Sequence, residues 1–271
     1  MNFEKVESGF KLTSKGKTAA GKNGAIATAF PQATEAGINM LRKKGNSVDA
    51  ACAAALALSV CEPQASGLGG QTMMLISKGK KTVAIDGSSR APSLCHVGAV
   101  YKRDRMSGYR ATTVPSTLAT LGYVQREYGS LPWSQIVEPA LRIATDGYRI
   151  TELQHRLLKR DIEKFRAIES QSGLHYFYNN GSPFQVGEVF KQPDLAALLI
   201  KIADKGIEEF YTGTTAKRID ADMRENGGLL RADDLALIPW PIERKPLRSS
   251  FRGFTVYTMP PPGSGRSLLF C

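Results

Sequence analysis

Histidine and cysteine are scarce in this 271-residue chain, with three and four residues respectively, and their placement removes most of the chemistry those side chains perform. His96, His155 and His175 lie at no ligand spacing from one another or from a cysteine, so no zinc site is expected. Cys52, Cys61, Cys95 and Cys271 form no CxxC pair, and the apolar neighbours of Cys52 and Cys61 read as settings for buried free thiols. Cys95 and His96 are adjacent, but sequence neighbours on a strand or turn point apart, which argues against a Cys/His dyad. Long apolar runs are missing too. The longest is interrupted at Ser59 and Glu62, and the opening MNFEKVESGFKLTSKGK has no apolar signal-peptide core. The visible sequence therefore reads as soluble and cytoplasmic, without a membrane span, and is silent on export. Acidic residues are the minority, 25 against 36 Lys and Arg, for a formal charge of +11 and a pI near 9.5. The two basic stretches, KLTSKGKTAAGKNG and YKRDRMSGYR, lack the interleaved aromatics of a nucleic-acid surface, so they read as solvated surface and no nucleic-acid partner is expected.

What is present is enough apolar content, 42%, to bury a full core, and residues 1–271 read as one large domain. GAIATAF, from Gly24, is strand-like. QATEAGINMLRKKG then places Ala36, Met40 and Leu41 on one helical face, with Gly45 as the C-cap. NSVDAACAAALALSV begins at a good N-cap, Asn46 or Ser47, with Asp49 in the first turn, and continues on almost nothing but Ala and Leu. A helix so small on every face is stable only when buried, where it lets neighbouring backbones come close. Pro63 breaks it in EPQASGLGG, and QTMMLIS with KTVAIDGSS reads as a hairpin joined through KGK, placed in a central sheet.

The glycine-rich loop is not a phosphate cradle. Such loops run from strand to glycine turn to helix N-terminus, and here the order is reversed. Gly67, Gly69 and Gly70 do not complete GxGxxG, since Thr72 stands at the third glycine, and no GK[ST] follows. What remains is a loop where glycine allows positive φ or close backbone contact between a buried helix and a buried strand. The second half is mostly helical: TTVPSTLATLGYVQREYG and PWSQIVEPALRIATDGYRI, then ELQHRLLKRDIEKFRAIES, QPDLAALLIKIADKGIEEFY, TGTTAKRIDADMRENGG and a short RADDLALI. FRGFTVYTM is β-like, and PPPGSG is a stiff proline run entering a flexible turn.

Taken in order, QATEAGINMLRKKGNSVDAACAAALALSVCEPQASGLGG, TTVPSTLATLGYVQREYGSLPWSQIVEPALRIATDGY, FYTGTTAKRIDADMRENGGLLRADDLA and RKPLRSSFRGFTVYTMPPPGSG resemble the large subunit of γ-glutamyltranspeptidases, or glutathione hydrolases, including their capsule-depolymerase relatives. The resemblance spans residues 24–267 with little interruption. It implies an α+β chain within an N-terminal nucleophile (Ntn) hydrolase, an αββα four-layer sandwich whose precursor cuts itself. In that family the new N-terminal Thr of the small subunit attacks the γ-glutamyl carbonyl with its own α-amine as base, a proximity that a weakly nucleophilic hydroxyl needs. It implies no cofactor and a small subunit as partner. On this reading the chain is a large-subunit portion ending before the nucleophile, so it carries no catalytic residue itself. Thr72, Thr112 and Thr113 are internal and have no free α-amine.

One departure falls on the substrate site. Members carry an Arg in a D-x-R-E-x-A-P segment, which the resemblance assigns to the substrate α-carboxylate. Here the segment is DGSSRAP, so that Ala91 and Pro92 set Ser88 at the arginine position. Arg90, two residues on, points to the same side of an extended segment and is a candidate substitute anchor, the alternative being a surface arginine that closes a turn. Loss of a bidentate arginine is not made good by a hydroxyl, so γ-glutamyl recognition is expected to weaken. Gln71 and Ser116 also stand where glycine is usual. Three functions remain open on this evidence: a γ-glutamyl transferase or hydrolase, a same-fold acylase or amidohydrolase for another acyl group, and a non-catalytic remnant or scaffold.

Overall fold

The computed structural model describes residues 20–170 and 172–269. The basic N-terminal stretch as far as residue 19, its leader-free reading and Cys271 lie outside them.

Helix α1 (Pro31–Arg42) starts on the proline, whose fixed φ and missing N–H suit a first helical position. It buries Ala33, Ala36 and Met40, while Leu41 is half-buried. The helix ends at Lys43 rather than Gly45: Lys44 takes the left-handed conformation at φ 65°, and the Gly45 amide closes the turn on the Met40 carbonyl at 2.9 Å. GAIATAF is not a strand. It runs into α1 as irregular chain, because no neighbouring strand among the described residues offers it a ladder.

Helix α2 (Ser47–Cys61) is the small-residue helix and is buried over most of its surface, with Cys52, Ala53, Leu56, Ala57, Val60 and Cys61 fully inaccessible and Ala51, Ala55 and Leu58 half-buried. Asn46 and Asp49 form a reciprocal capping box: Asn46 Oδ1 accepts from the Val48 and Asp49 amides, and Asp49 Oδ2 accepts from the Asn46 amide at 2.8 Å. The strands β1 (Thr72–Lys78) and β2 (Lys81–Gly87) pair in register from Thr72–Gly87 to Lys78–Lys81. Gly79, at φ 61°, supplies the left-handed backbone that their two-residue turn needs.

Two helices follow, α3 (Thr117–Tyr128) and α4 (Trp133–Asp146), the second closed by Gly147 at φ 84°. Then come β3 (Tyr148–Arg149), α5 (Glu152–Arg166), α6 (Ser172–Phe177) and β4 (Val189–Phe190), with β3 and β4 forming a two-residue ladder. Helices α7 (Pro193–Lys205), α8 (Glu208–Tyr211), α9 (Thr214–Glu225) and α10 (Ala232–Ala236) lead to β5 (Ile242–Arg244), which pairs antiparallel with β2. The sheet order is β1-β2-β5, so β2 is central. A hairpin of β6 (Leu247–Phe251) and β7 (Phe254–Thr258) and a short α11 (Gly265–Leu269) complete the described chain. The class is α+β: a three-stranded antiparallel sheet and two two-stranded ladders set in a mostly helical chain. Leu56, Ile85, Leu118, Leu121, Ile136, Leu199, Ile202 and Tyr211 fill the space between sheet and helices.

Asp49 is fully buried, yet it is not a lone charge. Besides Asn46, its carboxylate accepts from the Ser130 amide (3.0 Å), the Ser130 hydroxyl (2.6 Å) and the Leu131 amide (3.2 Å). Asn46 in turn donates from Nδ2 to the Tyr128 carbonyl at 2.8 Å. The cap of α2 therefore also closes the C-terminal end of α3 and holds the α3–α4 turn. Burial pushes the Asp49 carboxyl up, but the Ser130, Asn46 and Leu131 hydrogen bonds together outweigh it and leave the group below its ordinary value.

Two outcomes follow. Asp49→Ala leaves three amides and a hydroxyl without an acceptor and lowers unfolding free energy by about 3 kcal/mol or more, read by urea denaturation. Because the folded-state value is depressed, Asp49 contributes fully above the unfolded carboxylate value near ~4, and that stability is lost as pH falls through the folded value. Asp49→Asn flattens the acid limb of stability against pH relative to wild type.

Candidate functional site

The first turn of α3 has backbone amides that the helix itself cannot satisfy. Ser116 precedes it but does not cap it, for its hydroxyl donates instead to the Gly87 carbonyl at 2.6 Å. The amides are met from elsewhere. The Gly70 carbonyl accepts from the Ser116 (2.9 Å) and Thr117 (3.1 Å) amides, and the buried Tyr211 hydroxyl accepts from the Ala119 amide at 3.1 Å while donating to the Pro115 carbonyl at 3.0 Å. The glycine loop is thus a helix cap made of backbone. Burial pushes the Tyr211 hydroxyl well above the usual tyrosine range, so it stays protonated for this double role.

A cleft of about 560 Å³ opens between this loop and α2, lined by Leu58, Ser59, Gly67, Gly70, Thr72 and Thr117 among others. Thr72 donates its hydroxyl proton to Thr117 Oγ1 at 3.1 Å on the cleft wall. Gln71, also in the lining, reaches the end of β2 and accepts from the Ser89 amide at 3.1 Å through Oε1. The expected use of these glycines is not found: none of Gly67, Gly69 and Gly70 has a positive φ, and a Cβ at Gly67 or Gly69 would meet no atom of the small-residue helix, so the loop acts through its backbone as a cap on α3 and leaves a cleft beside α2.

The β2 terminus is organised by Asp86. Its Oδ1 accepts from the Ser88 hydroxyl at 2.5 Å and the Ser88 amide at 3.2 Å, and its Oδ2 accepts from Arg244 Nε on β5 at 2.7 Å. Burial raises the Asp86 carboxyl, but the Ser88 and Arg244 bonds pull it further down, so its net position is below the ordinary value. Gly87 lies between Asp86 and Ser88 where nothing larger fits: a Cβ there would stand 2.0 Å from Thr120 Oγ1 and 2.4 Å from the Thr72 carbonyl. Beyond it the chain is pinned twice more, by the Val114 amide on the Arg90 carbonyl at 2.8 Å and by the Ser93 amide on Asp234 Oδ1 at 2.8 Å.

The two residues singled out from the sequence are therefore placed differently. Ser88 is half-buried with its proton given to Asp86. Arg90 is exposed, its backbone fixed by the bridge to Val114 and its guanidinium without a polar partner among the described residues; neither it nor Ser88 lines the glycine-loop cleft. Gly70 as a cap, Tyr211 and Arg244 were not legible as site residues, since each acts on a partner far along the chain. Only Gly87, a glycine at a strand end, carried a local signal of close approach. Among the described residues no group of three or more His, Cys, Asp or Glu is arranged to hold a metal ion, and no helix is long and apolar enough to cross a membrane.

Residues 33–271 match the family model for gamma-glutamyltranspeptidase. The chain is 36% identical to the glutathione hydrolase proenzyme of Escherichia coli strain K12 over 253 residues, 90% of this chain and 43% of that protein. Among solved structures it is similar to Helicobacter pylori gamma-glutamyltranspeptidase (TM-score 0.85, 34% identity, covering 92% of this chain and 73% of that one). It is also similar to a cephalosporin acylase from Bacillus halodurans, with a TM-score of 0.80 and 29% identity, covering 94% of this chain and 50% of that one. The chain spans less than half the length of the curated relative it matches, 43%. A family model matched over residues 33–271 and a relative 36% identical over 90% of the chain show that this chain belongs to the γ-glutamyltranspeptidase family.

Proposed function

We propose that this chain is the large-subunit portion of a γ-glutamyltranspeptidase-like enzyme that transfers or hydrolyses γ-glutamyl groups at amide bonds. The observation that carries the reading is the family match over residues 33–271. The nucleophile is the N-terminal Thr of a small-subunit partner. Its hydroxyl adds to the γ-carbonyl as its α-amine takes the proton; the tetrahedral intermediate collapses, and the leaving amine receives that proton. Water or an acceptor amine then takes the acyl group from the resulting ester. No cofactor enters this chemistry. Thr72 and Thr117, hydrogen-bonded to each other on the cleft wall, have no free α-amine and serve packing.

The contribution of this chain is recognition. Arg90 is assigned to the substrate α-carboxylate: it is exposed, its backbone is clamped through Val114 and Ser93, and its guanidinium is uncommitted among the described residues. Ser88 stands at the arginine position of the family, but its hydroxyl proton is engaged by Asp86, so it offers the carboxylate no donor. The Gln71–Ser89 contact sets the path of the segment between them.

A second reading has its own support. The missing arginine at position 88, together with the likeness to a cephalosporin acylase, favours a same-fold acylase for a different acyl donor. A non-catalytic remnant is the third.

The test co-produces this chain with its downstream polypeptide and measures turnover of a γ-glutamyl anilide beside anilides of other acyl groups. Activity on the γ-glutamyl compound is expected. Arg90→Ala is expected to lower its kcat/KM by about a hundredfold, as loss of one partner of a hydrogen-bonded charge pair does, while Ser88→Ala changes it little. An unchanged kcat/KM in Arg90→Ala removes Arg90 as the anchor. Turnover confined to other acyl anilides establishes the acylase reading, and none on any substrate establishes the remnant.

A further inference from the structure

A second cavity, of about 400 Å³, lies between α5, α6 and the β3–β4 ladder, and the reaction proposed above makes no use of it. Tyr148, Leu158, Phe165, Phe177, Tyr178 and Phe190 form its walls. The rings are arranged against one another, Tyr148 to Phe190 at 5.8 Å and 79°, Phe165 to Tyr178 at 5.3 Å and 63°. Two of them are fixed by polar bonds at their tips: Tyr178 donates to the Leu158 carbonyl at 2.9 Å, and the Tyr148 hydroxyl accepts from the buried Gln154 Nε2 at 3.0 Å. The cavity is therefore built before any ligand enters, and its volume falls within the roughly 300–1,000 Å³ of small-molecule sites.

Its lining also carries charge. Arg160 and Lys164 belong to it and share one anion, Asp161, at 2.7 and 2.6 Å. Two cations against one carboxylate leave a surplus of one positive charge, and both cations are well exposed, at 66% and 69%. Each retains N–H groups beyond those given to Asp161, free for an incoming acceptor.

We propose that this cavity binds a small amphipathic anion, an aryl body of one or two rings seated among the aromatic side chains with a carboxylate at Arg160 and Lys164. Edge-to-face contacts with the fixed rings hold the body, and the surplus cation selects the carboxylate over a neutral group of the same shape. Pro63 and Gln64 line both this cavity and the glycine-loop cleft, so the two sites share a wall.

The probes are 2-naphthoate and its neutral isostere 2-naphthamide, titrated calorimetrically into the full chain. Naphthoate is expected to bind with a Kd at or below about 1 mM, and naphthamide at least about fivefold more weakly. Lys164→Glu, a substitution at an exposed position that does not threaten folding, is expected to weaken naphthoate about tenfold and leave naphthamide within about twofold. Leu158→Trp, which fills the cavity, is expected to abolish both. No saturable binding of naphthoate, or binding that neither variant alters, overturns the proposal. Equal affinity of the two probes for the wild-type chain overturns its selection of an anion.

Discussion

The unmet amides at the start of α3 are the constraint around which the neighbouring structure is organised. A helix that begins inside a protein has no water to satisfy its first turn, so other groups must be brought to it. Here the Gly70 carbonyl and the Tyr211 hydroxyl, 47 and 92 residues away from the amides they serve, do so. The same turn then passes its position on: Ser116 holds the Gly87 carbonyl, and Val114 holds the Arg90 carbonyl. The glycine loop, the end of the central strand and the proposed anchor are thereby fixed relative to a single helix terminus.

The other end of α3 is tied as firmly. Asn46 caps α2 with its side-chain oxygen and closes α3 with its side-chain nitrogen, while Asp49 gathers the turn that follows. Helices α2 and α3 are therefore referenced to each other by polar groups at one end and by small-residue packing along their length. A carboxylate buried this deeply would be costly alone; surrounded by donors it becomes a register device, since sliding either helix by one residue would break its bonds to Ser130 and Leu131 together.

What the sequence made legible was local. The N-cap of α2 at Asn46 or Ser47, the hairpin joined through KGK and the helices within TTVPSTLATLGYVQREYG and PWSQIVEPALRIATDGYRI each depend on residues within a few positions of one another. GAIATAF failed as a strand because a strand needs a partner, and residue pattern alone does not say whether one is near. Gly45 was read as the cap of α1, but Lys44 accepted the left-handed backbone first and left Gly45 to close the turn against Leu131, whose Cδ1 a Cβ would approach to 2.6 Å. The Asp86–Arg244 pair joins residues 158 apart, and the aromatic cavity draws its walls from several elements. Neither leaves a spacing to read. The substrate segment was legible only through family resemblance, which supplied a position, residue 88, and not the fate of its hydroxyl.

The cysteines sort themselves by the same packing that buries α2. Cys52 and Cys61 lie on that helix without exposure, and burial pushes both thiols up to about 12, so neither forms a thiolate at neutral pH. Cys95 is exposed, five residues beyond Arg90 and two beyond the pinned Ser93. Among the described residues a thiol-directed reporter therefore attaches at one place, beside the segment argued to meet substrate, and the molecule carries its own position for a fluorophore or spin label without an engineered cysteine.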